Sequence, residues 1–560
     1  MILAELPESI IDVIGRVDYT ASSESAATEF QLVASTDYDN LSDKIRQKGD
    51  KMKVNLIKLF VLASILVLAV IVIGGINTTS ADVLAQGKPP TVALPTRVGT
   101  KPPTLTATPT KPGAQPQVGN TPVAPLKGAT VTRTPTRGVK GPRLAFSSYT
   151  SGFQVQNLSG STANITLTYY NQDGTVNTAP NDTIPANGSK TYYPIHPSGS
   201  FNGSVVVSSD QPVASVVNVL GSSATTNAGA SYVGATQGGI SVSLPLLMKN
   251  HGAGNYSTWF NVQNTSSTDA TVNVNYSDGT TAGPYTIRPG AARTFDQSTE
   301  VHNATVFSAI VTSSQPVTVV VIQENPSVML AYSGFTGGTT NPVMPLVNAN
   351  NSGYVTGIQI QNIGSSATDV TVSYTPASAG TACTETQNIP AGQSRTFALA
   401  AFANGANSNC APGARFVGSA RVTGNSANQN LVAIVNQLKA GVNGEAYGGF
   451  DPARATNKVV LPLIMDRNNN WYTGFNVMNV GTTSTTVICT FSGTSYTINT
   501  GSLAPGQAYN AIQNGQIAPG YVGSATCIAA NSSDKIVAVV NEVNNVATGD
   551  RLLVYEGINQ

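Results

Sequence analysis

The sequence predicts an all-β protein: four tandem sandwiches, carried behind one transmembrane helix and a disordered Pro/Thr-rich stalk. Three observations lead there. Four short motifs recur in the same order four times between residues 143 and 560. The segments between them alternate apolar and polar side chains with period two, and Gly, Pro and Asn punctuate them without long helical periods. Upstream, Leu59–Ile76 carries no charge and, apart from Ser64, no strong hydrogen-bonding side chain.

In chain order, residues 1–51 hold nine acidic side chains before residue 44 against Arg16 alone, and apart from Ile10–Ile14 little that is apolar. Such a segment cannot bury enough surface to offset its ordering entropy, so a largely disordered tail is expected. The apolar stretch 54–76 follows. Eighteen apolar residues as a helix span roughly 27 Å, close to the hydrocarbon thickness of a bilayer. Lys44, Arg46, Lys48, Lys51, Lys53 and Lys58 crowd its N-terminal side, while the next charges beyond it are Asp82 and Lys88. The positive-inside rule then puts the tail in the cytoplasm and the C-terminal bulk outside. The segment reads either as a retained signal-anchor or as a signal peptide cut after Ala85. Both Met1 and Met52 are candidate starts; a chain from Met52 omits the tail and reads as a short basic segment followed by an apolar core, the form of a signal peptide.

Residues 77–142 are low in complexity and rich in Thr-Pro pairs, with eight Lys and Arg against Asp82. Each proline pushes its predecessor toward extended backbone and like charges repel, so an extended linker of up to about 200 Å is expected.

The repeats follow, at 143–236, 243–336, 343–451 and 458–560. Each contains a strand ending in Asn157, Asn264, Asn362 or Asn479, then an alternating strand (NITLTYY, TVNVNY, DVTVSY, TTVICTF). A Pro/Gly turn comes next (IPANGS, IRPGAA, IPAGQS, LAPGQA). A third segment (GSVVV, FSAIV, GSARV, GSATC) leads into a run of valines, and a Tyr-x-Gly strand closes the unit. Copies two to four also open with Leu244-Pro245-Leu246, Met344-Pro345-Leu346 and Leu461-Pro462-Leu463, which the first lacks. About seven short strands in roughly 100 residues is the pattern of an immunoglobulin-like sandwich. In the second copy Val272, Val274 and Tyr276 should face Ile310 or its neighbours and the Val317–Ile322 run. Linkers of about ten residues suggest beads on a string.

All four cysteines lie beyond the apolar stretch, an even number in each of two copies, which favours disulfides in an oxidising compartment. Cys489 and Cys527 replace core valines, so they are expected to bridge sheet to sheet. Cys383 and Cys410 should tie an insertion of the third copy.

Nothing in the sequence carries catalysis. His196, His251 and His302 have no nucleophile at a motif spacing, no nucleotide or metalloprotease motif occurs, and no zinc-ligand spacing occurs. No enzyme, cofactor or metal is expected. A net charge of +1 gives no case for nucleic acid. Asp173-Gly174 and Asp278-Gly279 read as hairpin turns, and the Asn-x-Ser/Thr sequons at Asn157 and Asn164 as chance occurrences. Tyr256, Trp259, Tyr354, Trp471 and Tyr472 are the candidates for a glycan-stacking surface, against a plain core or junction role.

The LPL opening, VQN strand, PxG turn, GSA-V strand and Y-x-GF ending together resemble uncharacterised secreted repeat proteins of filamentous Chloroflexota-type bacteria. The resemblance covers residues 143–560 and implies an immunoglobulin-like fold and a surface location, without catalytic residues. The expectation is a structural or adhesive cell-surface protein, attached to the membrane through one helix. Its partners would be a cell-wall polymer, a surface glycan or other copies of itself. A carbohydrate-binding array and a single-pass signalling protein using residues 1–51 are the alternatives.

Overall fold

The computed structural model describes residues 145–195, 201–223, 225–398, 407–426, 428–544, 546 and 548–560, with the backbone of 128–132. The tail 1–51, the apolar stretch 54–76, the site after Ala85 and most of the linker lie outside the described residues. What is described is all β-strand, turn and bend, with every strand pairing antiparallel.

The third copy shows the plan. One sheet orders its strands Val343–Ala349, Phe416–Gly424, Thr368–Ala379 and Cys383–Ile389. The other orders Ser394–Phe397, Val355–Asn362, Leu431–Lys439 and Asn443–Gly448. The same order recurs in the other copies. In the second, the sixth and seventh strands fuse into Val306–Glu324, which passes from one sheet to the other. In the first, Gly128–Thr132 takes the opening position beside Gly203–Ser209, although it lies in the stretch read as linker.

The two-layer sandwich therefore stands, but the immunoglobulin strand order does not. In that order the first strand lies beside the second; here Val343–Ala349 lies beside the sixth, Phe416–Gly424. Alternation specifies which face of a strand is buried and leaves its neighbours open. The faces are as expected. Val272, Val274 and Tyr276 are buried against Ala309, Val311, Val317, Val319 and Val321. Ile310 itself points away from this core, one position out of phase.

Two motifs explain each other. The register slips by a residue at each LPL, between Leu244 and Leu247, Met344 and Val347, and Leu461 and Ile464. Such a bulge tolerates a proline and frees a backbone amide and carbonyl. The closing tyrosine takes up both. The Tyr332 hydroxyl donates to the Leu246 carbonyl (2.7 Å) and accepts from its N–H (3.3 Å). Tyr447 with Leu346 and Tyr555 with Leu463 do the same. The buried asparagine is equally structural. Asn264 Nδ2 donates to the Thr268 and Ile287 carbonyls at 2.7 and 2.8 Å, and its Oδ1 accepts from Ser266 N–H. Asn157, Asn362 and Asn479 repeat this. A side-chain amide so engaged is not presented to solvent, so Asn157 is no glycan acceptor in the folded chain.

Instead of beads, the described copies belong to one compact unit, Gln117–Gln560. The closing strands Asn227–Val233, Met329–Ser333, Asn443–Gly448 and Leu552–Glu556 pack in a cycle, each against the next and the last against the first. Each core continues into the following copy. Val320 and Ile322 complete the first core, Ile434 and Ala446 the second, Val539 and Val554 the third, and Val216 the fourth. Val216, Val320, Ile434 and Val539 occupy one register position, on the face of the seventh strand away from its own core. Both faces of that strand are thus buried, which is why its sequence runs apolar without alternating. The GSA serine and PxG glycine add polar links between successive copies. Ser204, Ser308 and Ser419 hydroxyls donate to the carbonyls of Gly290, Gly392 and Gly506 at 2.5, 3.2 and 2.6 Å. The closing junction uses Gln154, whose Nε2 donates to the Pro462 carbonyl at 2.6 Å.

Candidate functional site: the clefts between copies

The cyclic packing creates clefts between copies, and two of the candidate aromatics, Tyr256 and Trp471, line them. Tyr256, Tyr354 and Trp471 each stand eight residues before the buried asparagine, as does Tyr149 in the first copy. The sequence does not single out Tyr149, because the first copy lacks the LPL opening that frames the others.

Five residues before that asparagine stand Gly152, Trp259, Gly357 and Gly474. Trp259 thus occupies a position where the other copies have no side chain. It is 3 % exposed and meets Tyr149 edge-on at 6.0 Å between ring centroids. Glu324 accepts from the Tyr149 hydroxyl (2.8 Å) and Ala145 N–H (2.9 Å), and a side-chain hydrogen bond from Trp259 helps hold it. Trp259 therefore plugs the junction of copies one and two and is no surface platform. Tyr472 follows Trp471 on the strand, and alternation turns it to the opposite face.

Where glycine leaves room, two cavities open. Between copies two and three one of about 240 Å³ is lined by Leu246, Met248, Tyr256 and Gln323. Gln323 and Asn436 hydrogen-bond reciprocally across it, at 3.1 and 2.8 Å. Between copies four and one a cavity of about 310 Å³ is lined by the matching residues Leu463, Met465, Trp471 and Glu542. Glu542 has 0 % exposure, and Asn218 Nδ2 donates to its Oε2 at 3.1 Å. Its Oε1 has no partner among the described residues. Burial pushes its carboxyl up to about 8.

Two more carboxylates sit where the closing strands meet. Glu445 Oε1 accepts from Ala331 and Ala446 N–H, both at 2.8 Å, and Oε2 from Ser231 N–H at 2.9 Å. Asp550 accepts from Met329 and Gly444 N–H, both at 3.1 Å. Burial raises both carboxyls well above the usual range. These groups satisfy edge amides that would otherwise be orphaned at the centre of the ring.

The remaining candidates are dispersed. His251 lines the cleft between copies two and three, beside Thr305. His302 is buried 3.1 Å from Asp278 at its hairpin turn, and His196 lies outside the described residues. Among the described residues no three His, Cys, Asp or Glu converge as a metal site. Both disulfides form, Cys383–Cys410 and Cys489–Cys527. The second is not the expected sheet-to-sheet bridge. Cys489 and Cys527 face each other on paired strands of one sheet, their Cα atoms 3.9 Å apart. They stand where the second copy pairs Val274 with Val311. Comparison of the chain with protein-family models, with curated proteins and with solved structures gives no match.

Proposed function

We propose that the chain is a non-enzymatic cell-surface protein, in which the four sandwich copies form a head presented on the Thr-Pro linker and tethered by the apolar stretch 54–76. Closure of the four copies on one another is the observation that supports this reading. Each copy covers its outer apolar face with its neighbour, so no copy is left to seek a partner by that face. What remains outward is mainly hydroxyls, amides and turns, a surface suited to a polar polymer such as a wall glycan. The two disulfides fit an oxidising compartment.

The test is protease shaving of intact cells with mass spectrometry of the released material. One protease-resistant fragment covering the four copies is expected, together with a retained membrane stub that carries residues 54–76. Recovery of the head only after lysis would sink the proposal. Sequencing the N-terminus of the mature protein separates a retained anchor from cleavage after Ala85.

A further inference from the structure

The clefts between copies two and three and between copies four and one share one geometry, and the residues that differ between them are informative. In the first, Gln323 spends both ends of its amide on Asn436. At that register position the second cleft has Glu542. Asn218 gives an Nδ2 hydrogen to Glu542 Oε2 and its Oδ1 accepts from the Ser231 hydroxyl at 2.7 Å, and no donor among the described residues reaches Oε1. The result is a fully buried, unpartnered carboxyl oxygen on a residue that lines a 310 Å³ cavity.

We propose that this cleft is a binding site for a small primary alkylammonium, with Glu542 as counter-ion and Trp471 as aromatic wall. The argument rests on what the walls still offer. Gln154 is used on both sides, its Nε2 on the Pro462 carbonyl and its Oε1 by the Thr191 hydroxyl. Asn218 is engaged at both ends of its amide as well. Glu542 Oε1 is the one lining atom that is both buried and unpartnered among the described residues, and most of the remaining wall is apolar, so a sugar would bury many of its hydroxyls unpaired. An ammonium needs little else: a carboxylate to accept its N–H, an aromatic face for its charge, and apolar walls for its chain. Indole is the strongest such face, and Trp471 replaces the Tyr256 of the other cleft. Leu220, Leu463, Met465 and Leu553 supply the apolar walls.

Without a cation the carboxyl is held neutral by burial, and the titratable group recorded facing it is Tyr555, itself raised by burial and by Glu542. Binding of a cation therefore expels a proton. With a folded value of about 8, roughly 0.9 proton leaves at pH 7, and affinity is about tenfold higher at pH 9 than at pH 7.

Isothermal titration of the full-length chain with n-butylammonium, in two buffers of different ionisation enthalpy, measures both quantities. One site with proton release is expected, with n-butanol at least tenfold weaker. Glu542→Gln should abolish binding, and Gln323 shows that the same position accepts an amide in a folded copy. Gln323→Glu should create a second site in the other cleft. No binding to the wild-type chain at millimolar concentration, equal binding of butanol, or unchanged binding to Glu542→Gln would each overturn the proposal.

Discussion

Replacing Glu445 by Leu tests the ring directly, because this one side chain in the third copy accepts amides from three copies: Ser231, Ala331 and Ala446. The substitution leaves three buried N–H groups without acceptors, each costing about 1–3 kcal/mol. Leucine returns about 1.5–3 kcal/mol of apolar burial. Taking the middle of each range, the expected net loss is about 4 kcal/mol. Unfolding entropy scales with length, so for a cooperative unit of this size each kcal/mol lowers Tm by about 1 °C. Differential scanning calorimetry should show one transition moved down by about 4 °C. Hydrogen exchange should show Asn227–Val233, Met329–Ser333 and Asn443–Gly448 losing protection together. Independent copies behave differently: a transition assignable to the third copy would shift while the others kept their temperatures. That result would refute the cyclic packing.

Three further outcomes follow. Trp259→Ala removes a buried plug and should cost about 3–5 kcal/mol in chemical denaturation; an unchanged midpoint would return Trp259 to the surface. Replacing both Cys489 and Cys527 by Val restores the valine pair of the second copy, and loop-closure entropy predicts a loss of about 4 kcal/mol without loss of the fold, checked by denaturation and circular dichroism. Glu542 titrates higher folded than unfolded, so its stabilising protonation is complete below about 4.5 and lost as pH rises to about 8. Tm should therefore fall across that window, and less steeply in Glu542→Gln; equal slopes would refute it.

The sandwich was legible because period-two alternation and Pro/Gly turns are local signals, and the repeat made them visible four times. Strand neighbours were not. Cys489 and Cys527 could be placed on inward faces by their valine counterparts, yet two inward residues can meet across the core or along one sheet, and alternation does not separate these. Ring closure did leave a trace. VVVIQ, VAIVNQ and VAVVNE are continuous apolar runs, and in an antiparallel sheet wetted on one face every second residue should be polar. An unbroken run means that a second layer covers the far side, and the next copy is that layer. The clefts were half legible. The shared position of Tyr256, Tyr354 and Trp471 pointed to one edge of the array, while the Gly/Trp exchange at 152, 259, 357 and 474 shows its meaning only once that edge is seen to be a junction.

A ring made from one chain can also do what four identical subunits cannot. With strict fourfold symmetry, an axial carboxyl would appear four times, and four such groups packed together in a medium of low dielectric could not all ionise. Here the position of Glu445 holds Ala230, Leu330 and Leu553 in the other copies, so a single carboxylate serves amides of three copies while apolar side chains fill the rest. Asp550, from the fourth copy, accepts from the second and the third. The same freedom places Trp259 at one junction and Glu542 at another. Differences among the copies therefore concentrate where symmetry would be costly, at the axis and the clefts. It is on these non-equivalent residues, more than on the repeated motifs, that function should be sought.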